Sequence, residues 1–462
     1  MKKSLLLLIL ILFSLSVTAQ NEFITVWKPS NASTTNIFGG IPSTATQIWF
    51  PGTGNNFNVA WEEAGFPTHN GVLSNISSSK NFLIEFGNPQ NPVPANATYI
   101  VKVSNGNGNF EAVKFPDTFF PTPIDVPPLV NIYSGDAKKI LNVSQWGNIH
   151  WNSMEFAFMN CQFLNVSATD LPDLSDVTTA QAMFFSSGLV GNSSISLWDT
   201  SSITNMAYMF GQTAFNQPLG NWDVSNVTDI RWMFHACSNF NQPLNSWNTS
   251  SVVRMDHVFH YCNAFNQDLS NWDTSNVTHM DLLFGAADIF NQDLGTWDLS
   301  SVVDGLQMLS GTDLSCSNWD KTLFGWSNNP NSPNNFNLGN VSSAVYTHPL
   351  AVSARNNLIN VKGWTFSGDV YDPTCESDLS TSETIFEKES SIYPNPVSDF
   401  IYFKNIKNTD SYKIFDHSGR VVLQNHFNSD KNQIDVRVLS KGNYILLLKT
   451  KHSMRTFKFI KK

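Results

Sequence analysis

The sequence predicts a mainly β protein with short helical turns: a solenoid of stacked repeats between an N-terminal β domain and a C-terminal β-sandwich. Three observations carry that expectation. Trp198, Trp222, Trp247, Trp272 and Trp297 recur at intervals of 24, 25, 25 and 25 residues, the periodicity of a repeat architecture. The flanks alternate apolar and polar residues with the period of two that strands require. Finally, of 462 residues 41% are hydrophobic and 13% aromatic, so sizeable cores are available, although only 14% are charged.

Residues 1–19 read as an export leader. Lys2 and Lys3 precede an apolar run over 5–13, and Val17-Thr18-Ala19 offers a small-residue cleavage site. The run is too short to cross the ~30 Å hydrocarbon core, and no later segment is long enough, so no transmembrane segment is expected. Residues 20–130 follow as the N-terminal β domain. There, 97–104 and 109–115 alternate as strands, and Asn105-Gly106-Asn107-Gly108 between them reads as a hairpin turn. The Glu62-Glu63 doublet would place its carboxylates on opposite strand faces, both solvated.

The solenoid with its caps is expected over 131–365. Its unit from Leu219 runs Leu-Gly-Asn-Trp-Asp-Val-Ser-Asn-Val-Thr-Asp-Ile-Arg-Trp-Met-Phe-His-Ala-Cys-Ser-Asn-Phe-Asn-Gln-Pro. Close copies begin at Leu244 and Leu269, with a degenerate one at Leu294. Trp222 and Val224 predict a short strand with both side chains on one face. Val227, Ile230, Met233 and Phe234 have the spacing of one inward helical turn. The third residue after each Phe is small (Cys161, Ser187, Thr213, Cys237, Cys262, Ala287), which fits a narrow buried site better than redox chemistry. The recurrent Phe-Asn-Gln should bond backbone through its Asn and form a ladder from unit to unit. One unit cannot bury its apolar side alone; a stack can, if its ends are capped, and 319–326 and 351–364 look like such caps. Five Cys are too few for a disulfide scaffold. Their odd number leaves at least one unpaired, and whether Cys316 and Cys375 pair stays open.

The order Leu-x-x-Trp-x-Val, Val-x-x-Met-x-x-Met-Phe-x-x-Cys, Phe-Asn-Gln resembles the BspA-type leucine-rich repeats of bacterial surface proteins over about 180 residues. The likeness implies a curved, leucine-rich-repeat-type solenoid and a surface or adhesion role, and names no ligand. Residues 366–390 read as a linker. After it, Tyr393-Pro394-Asn395-Pro396, the turn from Asp416 to Arg420, the run from Gly442 and the basic end at 457–462 introduce alternating strands. Residues 391–462 thereby resemble the C-terminal sorting domain of the type IX secretion route of Bacteroidetes. That resemblance implies the type IX machinery as partner, and a secreted or outer-surface location on a Gram-negative bacterium.

The formal charge of −10 argues against nucleic acid as a partner. It also hides a split. Residues 388–462 hold 14 Lys/Arg against 6 Asp/Glu, a net +8, which leaves −18 on the rest.

Gly-x-Ser-x-Gly, His-Glu-x-x-His, Cys-x-x-Cys and phosphate-loop patterns are absent. No Glu lies between Glu155 and Glu376, where a glycosidase acid would be sought. The expected function is therefore non-enzymatic binding or adhesion to a protein or polysaccharide, with no catalytic residue and no cofactor. The alternative is a carbohydrate-degrading enzyme or its accessory binding module. Three constellations are candidates for the site. Asp199, Asp223, Asn248, Asp273 and Asp298 stand one per repeat beside the Trp, either bonded to backbone at the following turn or spaced by cations such as calcium. Tyr208, Trp232 and His257 share one repeat position with Leu282, and Arg231 and Arg254 lie nearby. They form either an exposed recognition patch or a layer packed on neighbouring repeats. His257-x-x-His260, with His235 and His279 a repeat away, has chelating spacing but no completing ligand, so these read as surface histidines.

Overall fold

The computed structural model describes residues 21–33, 42–115, 135–379, 391–404, 409–416, 418–426, 433–450 and 454–462. The leader expected over 1–19, residues 116–130 of the expected N-terminal domain and residues 380–390 of the expected linker lie outside them. Contacts divide the chain into two units, 1–202 and 203–462, so the division falls inside the repeats and not at either end of them.

In the first unit, Gly52–Glu63 buries alternate residues, among them Phe57, Val59 and Trp61. It pairs antiparallel with Phe66–Ser78 on one edge and with Tyr99–Ser104 on the other. The sheet continues through Phe23–Trp27 to Ile140–Gln145, whose far edge pairs in parallel with Asn165–Val166. Ile140–Gln145, expected within the solenoid, pairs on one edge with Phe23–Trp27 of the N-terminal sheet and on the other with Asn165–Val166 of the next repeat. The expected hairpin at 105–108 also differs. Asn109–Val113 does not fold back on Tyr99–Ser104, because both pair with the 12-residue Gly52–Glu63, one beyond the other. The four residues loop out of a single interrupted strand, with Gly106 at φ 58°.

In the first unit the repeat region keeps a short strand, Asn165–Val166, and one 3-10 turn, Ser193–Leu197; among the described residues of the later repeats neither the expected strand nor the expected helical turn is present. Trp222 and Val224 are buried on one side, as their alternation demands, but neither lies in a strand. Among the described residues of the second unit, the sheet-like pairing between repeats is one parallel bridge each, running Asn205, Asp229, Arg254, His279, Asp304. Next to it, tight turns replace a helix. Every second amide donates to the following repeat: Ile230 to Arg254, Trp232 to Asp256, Phe234 to Val258 and Ala236 to His260, at 3.0, 3.0, 3.1 and 2.8 Å. The amides between them close local turns, as with Met233 to Ile230 at 3.1 Å. Such a path needs left-handed residues at fixed places, and Tyr208, Trp232, His257, Leu282 and Gln307 all have φ between 50° and 62°. For a bulky residue that conformation costs ~1–2 kcal/mol, so packing must hold it.

The packing is a set of ladders. Phe210, Phe234, Phe259 and Phe284 stack with centroids 5.8, 5.8 and 5.5 Å apart. Trp247, Trp272 and Trp297 are buried, and each indole N–H donates to a carbonyl one repeat back, at 2.9, 3.0 and 3.1 Å. Asn216, Asn241 and Asn266 accept the backbone N–H of the next Asn at 3.0, 3.1 and 2.9 Å. Cys237 and Cys262 donate their thiols to the carbonyls of Phe210 and Phe234, both at 2.9 Å.

Two helices close the array. Cys316–Asn328, capped by the Ser315 hydroxyl, buries Trp319, Leu323 and Trp326 at i, i+4 and i+7. Pro349–Asn360 starts on Pro at its first position and buries Leu350, Ala354 and Leu358. The last repeat has Gly305 where its predecessors have Ile230, Met255 and Met280. The ring of Phe336 fills that space, since a Cβ on Gly305 would meet its Cζ at 2.3 Å. The linker begins later than 366: Asn337–Asn340 pairs in parallel with Thr365–Ser367, and Val345–Tyr346 with Val370–Tyr371. Beyond them Cys375 is disulfide-bonded to Cys316, leaving Cys161, Cys237 and Cys262 free and buried.

The described residues of 391–462 form two sheets, Ser391–Tyr393 with Phe400–Lys404 and Gln433–Asp435, and Val421–His426 with Thr409–Phe415, Gly442–Thr450 and Met454–Lys461. Ile401, Ile434, Ile414, Leu446 and Leu448 pack between them. Among the described residues no helix is long and apolar enough to cross a membrane.

Candidate functional site

The position shared by Tyr208, Trp232 and His257 is where a recognition patch was expected. Its left-handed backbone turns those side chains along the stack instead of outward. Tyr208 is 7% exposed, Trp232 3% and His257 6%. Trp232 stacks on His257 at 4.0 Å and 10°, and on Tyr208 at 5.8 Å and 15°. The exposed patch is therefore corrected to a buried aromatic layer between repeats.

The two arginines remain half-buried at its border, each tied to a carboxylate: Arg231 Nε lies 3.2 Å from Asp229, and Arg254 Nε donates to Asp256 at 3.0 Å. The Arg231 guanidinium also lies 6.0 Å from the Tyr208 ring. His257 Nδ1 is 3.5 Å from Asp281 and 3.9 Å from Asp256. Burial raises the carboxyl groups of Asp229 and Asp256 above the usual range, against the pull of their arginines.

Of the four expected surface histidines, His235 and His257 are corrected to buried, while His260 and His279 stay half-buried. His235 is buried, 4.3 Å from Trp232 and 5.1 Å from His260 by ring centroid, and His257 is 5.2 Å from His260. Burial, then the neighbouring imidazoles, pushes His235 down to about 3; burial pushes His260 down to about 4. Among the described residues no group of three or more His, Cys, Asp or Glu is arranged to hold a metal ion. Tyr261, half exposed and 4.1 Å from His260, carries the aromatic layer to the surface.

The acidic ladder turns on its own backbone. Asp199, Asp223, Asn248, Asp273 and Asp298 each accept the N–H two residues on, at 3.1, 2.9, 3.2, 3.0 and 2.9 Å. Hydrogen bonds from Ser225 and Ser275 hold Asp223 and Asp273 below the ordinary carboxyl range. Asn at 248 makes the same bond, so the position needs an acceptor and not a charge.

The Glu62-Glu63 doublet is not solvated on both faces. Glu63 is buried, not solvated, because its face of the strand is the core face. It accepts from Gln90 N and Asn91 N at 2.7 and 2.8 Å and lies 2.5 Å from His69 Nδ1. Its neighbour Glu62 pairs with Lys102 at 3.1 Å. The period-two rule put the two on opposite faces, but nothing in the doublet said which face was inward.

Two families match parts of the chain. Residues 152–251 and 214–326 match one described as a Mycoplasma protein of unknown function, DUF285. Residues 391–462 match the secretion system C-terminal sorting domain. A search of curated proteins found no match. The first match lays repeat-like domains over the stacked region. The second supports a type IX secretion tail, and with it a secreted, cell-surface protein whose partner in export is that machinery.

Proposed function

We propose that the chain is a non-enzymatic adhesion protein of the outer surface of a Gram-negative bacterium of the Bacteroidetes. In this reading its repeats form a BspA-like, leucine-rich-repeat-type solenoid that binds a protein or polysaccharide and needs no cofactor. The carrying observation is an export tail joined to an array whose inward ladders repeat while the bridge positions change. Those positions read Asn205, Asp229, Arg254, His279 and Asp304. A constant frame with a variable edge is how repeat proteins present a binding surface.

The experiment is saturable binding of the purified chain on glycan and protein arrays. Dose-dependent, competable binding is expected; its absence on both arrays would contradict adhesion. The competing reading, a carbohydrate-degrading enzyme or its accessory module, predicts in its enzymatic form that plant or algal glycans are hydrolysed. The adhesion reading predicts that they are not.

A further inference from the structure

The ladder of bridges ends at Asp304, and the cap chain does not continue it directly. Gln307 N donates to Leu338 O at 3.0 Å, so the pairing resumes there. Between these points the chain stands off and leaves a cleft of about 410 Å³ at the end of the array, within the usual size range of ligand pockets. Its lining from the last repeat includes the exposed Val303 and Leu306, 79% and 42% exposed, beside Asp304. From the cap segment it includes the exposed Asn334 and Asn335. The floor is fixed, because the buried Phe336 ring sits in the space that Gly305 leaves.

We propose that this cleft is a binding subsite for a neutral oligosaccharide. Sugar rings offer an apolar C–H face and a rim of hydroxyls that both donate and accept. Val303 and Leu306 suit the first, and side-chain amides, which also donate and accept, suit the second. No Lys, Arg or His lines the cleft, and its one charged group is the carboxylate of Asp304. Phosphate, sulfate and uronate ligands would meet repulsion without a counter-charge. The fixed floor means that little ordering is needed on binding. The inference rests on the adhesion reading and narrows its ligand class.

The test is calorimetric titration of the full chain with cellotetraose, mannotetraose and trigalacturonate. At least one neutral tetraose should bind and trigalacturonate should not. The double variant Val303→Ser/Leu306→Ser and the single variant Asn334→Ala should each weaken that binding about tenfold, with the thermal midpoint unchanged. Binding of trigalacturonate alone, no binding of either tetraose, or neutral binding that survives both variants would overturn the proposal. If array binding persists through any of these failures, the cleft is lost and adhesion stands; if array binding is also absent, both fall.

Discussion

Trp232 lies in a slot between Tyr208 and His257, which makes it a stability residue. Trp232→Ala should cost ~3–5 kcal/mol, read as a lower urea midpoint, while affinity for an array-identified ligand survives. A midpoint that stays put while affinity drops would return the position to the binding face. Phe234→Ala should cost a similar ~3–5 kcal/mol. Cys237→Ala should cost less, about 1–2 kcal/mol, for the thiol's bond to Phe210, its 3.6 Å contact with the Thr213 hydroxyl and a small void; equal losses would mean that the thiol does more than make these contacts. His235 and His260 titrate near 3 and 4 in the folded chain against 6.5 unperturbed. The unfolded chain thus binds more protons below 6.5, so stability is complete above that pH and falls as pH drops toward 4. The raised carboxyls of Asp229 and Asp256 work in the opposite sense at the acid end. A loss of roughly 2 kcal/mol or more is expected by pH 5, and His235→Phe should flatten it. A urea midpoint constant from pH 7 to 5 would contradict the buried cluster. The sequence showed that Trp232 varies between repeats. It could not show the positive φ that turns the side chain inward, because non-glycine residues carry no mark of a left-handed backbone.

The repeat unit was legible in its period, its inward Phe and Trp, and its Asn ladder, since each is a recurrence of one residue type at one spacing. The path between them was not. Alternation at Trp222 and Val224 reports facing and says nothing of pairing, and the 3,3,1 spacing of Val227 to Phe234 suits a helical turn and a chain of tight turns equally. Gly305 shows what this costs a consensus argument. Restoring the Met of the neighbouring repeats would recommend Gly305→Met, yet its Cβ would collide with Phe336. The change should destabilise by ~1–3 kcal/mol through overpacking. Adding Phe336→Ala should recover part of that loss in a denaturant titration. A stabilised single variant would show that Phe336 does not occupy the site.

Over the whole chain, charge and tail tell the same story. The −18 body and +8 end were legible by counting, as was the 391–462 boundary that the sorting-domain match shares. The break at 202/203 was not, because the repeat runs through it without a change of period. An address carried in the last residues predicts that export depends on them while folding of the repeats does not. The most direct measurement is surface labelling and cell fractionation of bacteria producing the full chain or one lacking 391–462. The full chain is expected at the surface or in the medium, and the shortened one folded but held in the periplasm. Undiminished surface display of the shortened chain would contradict it.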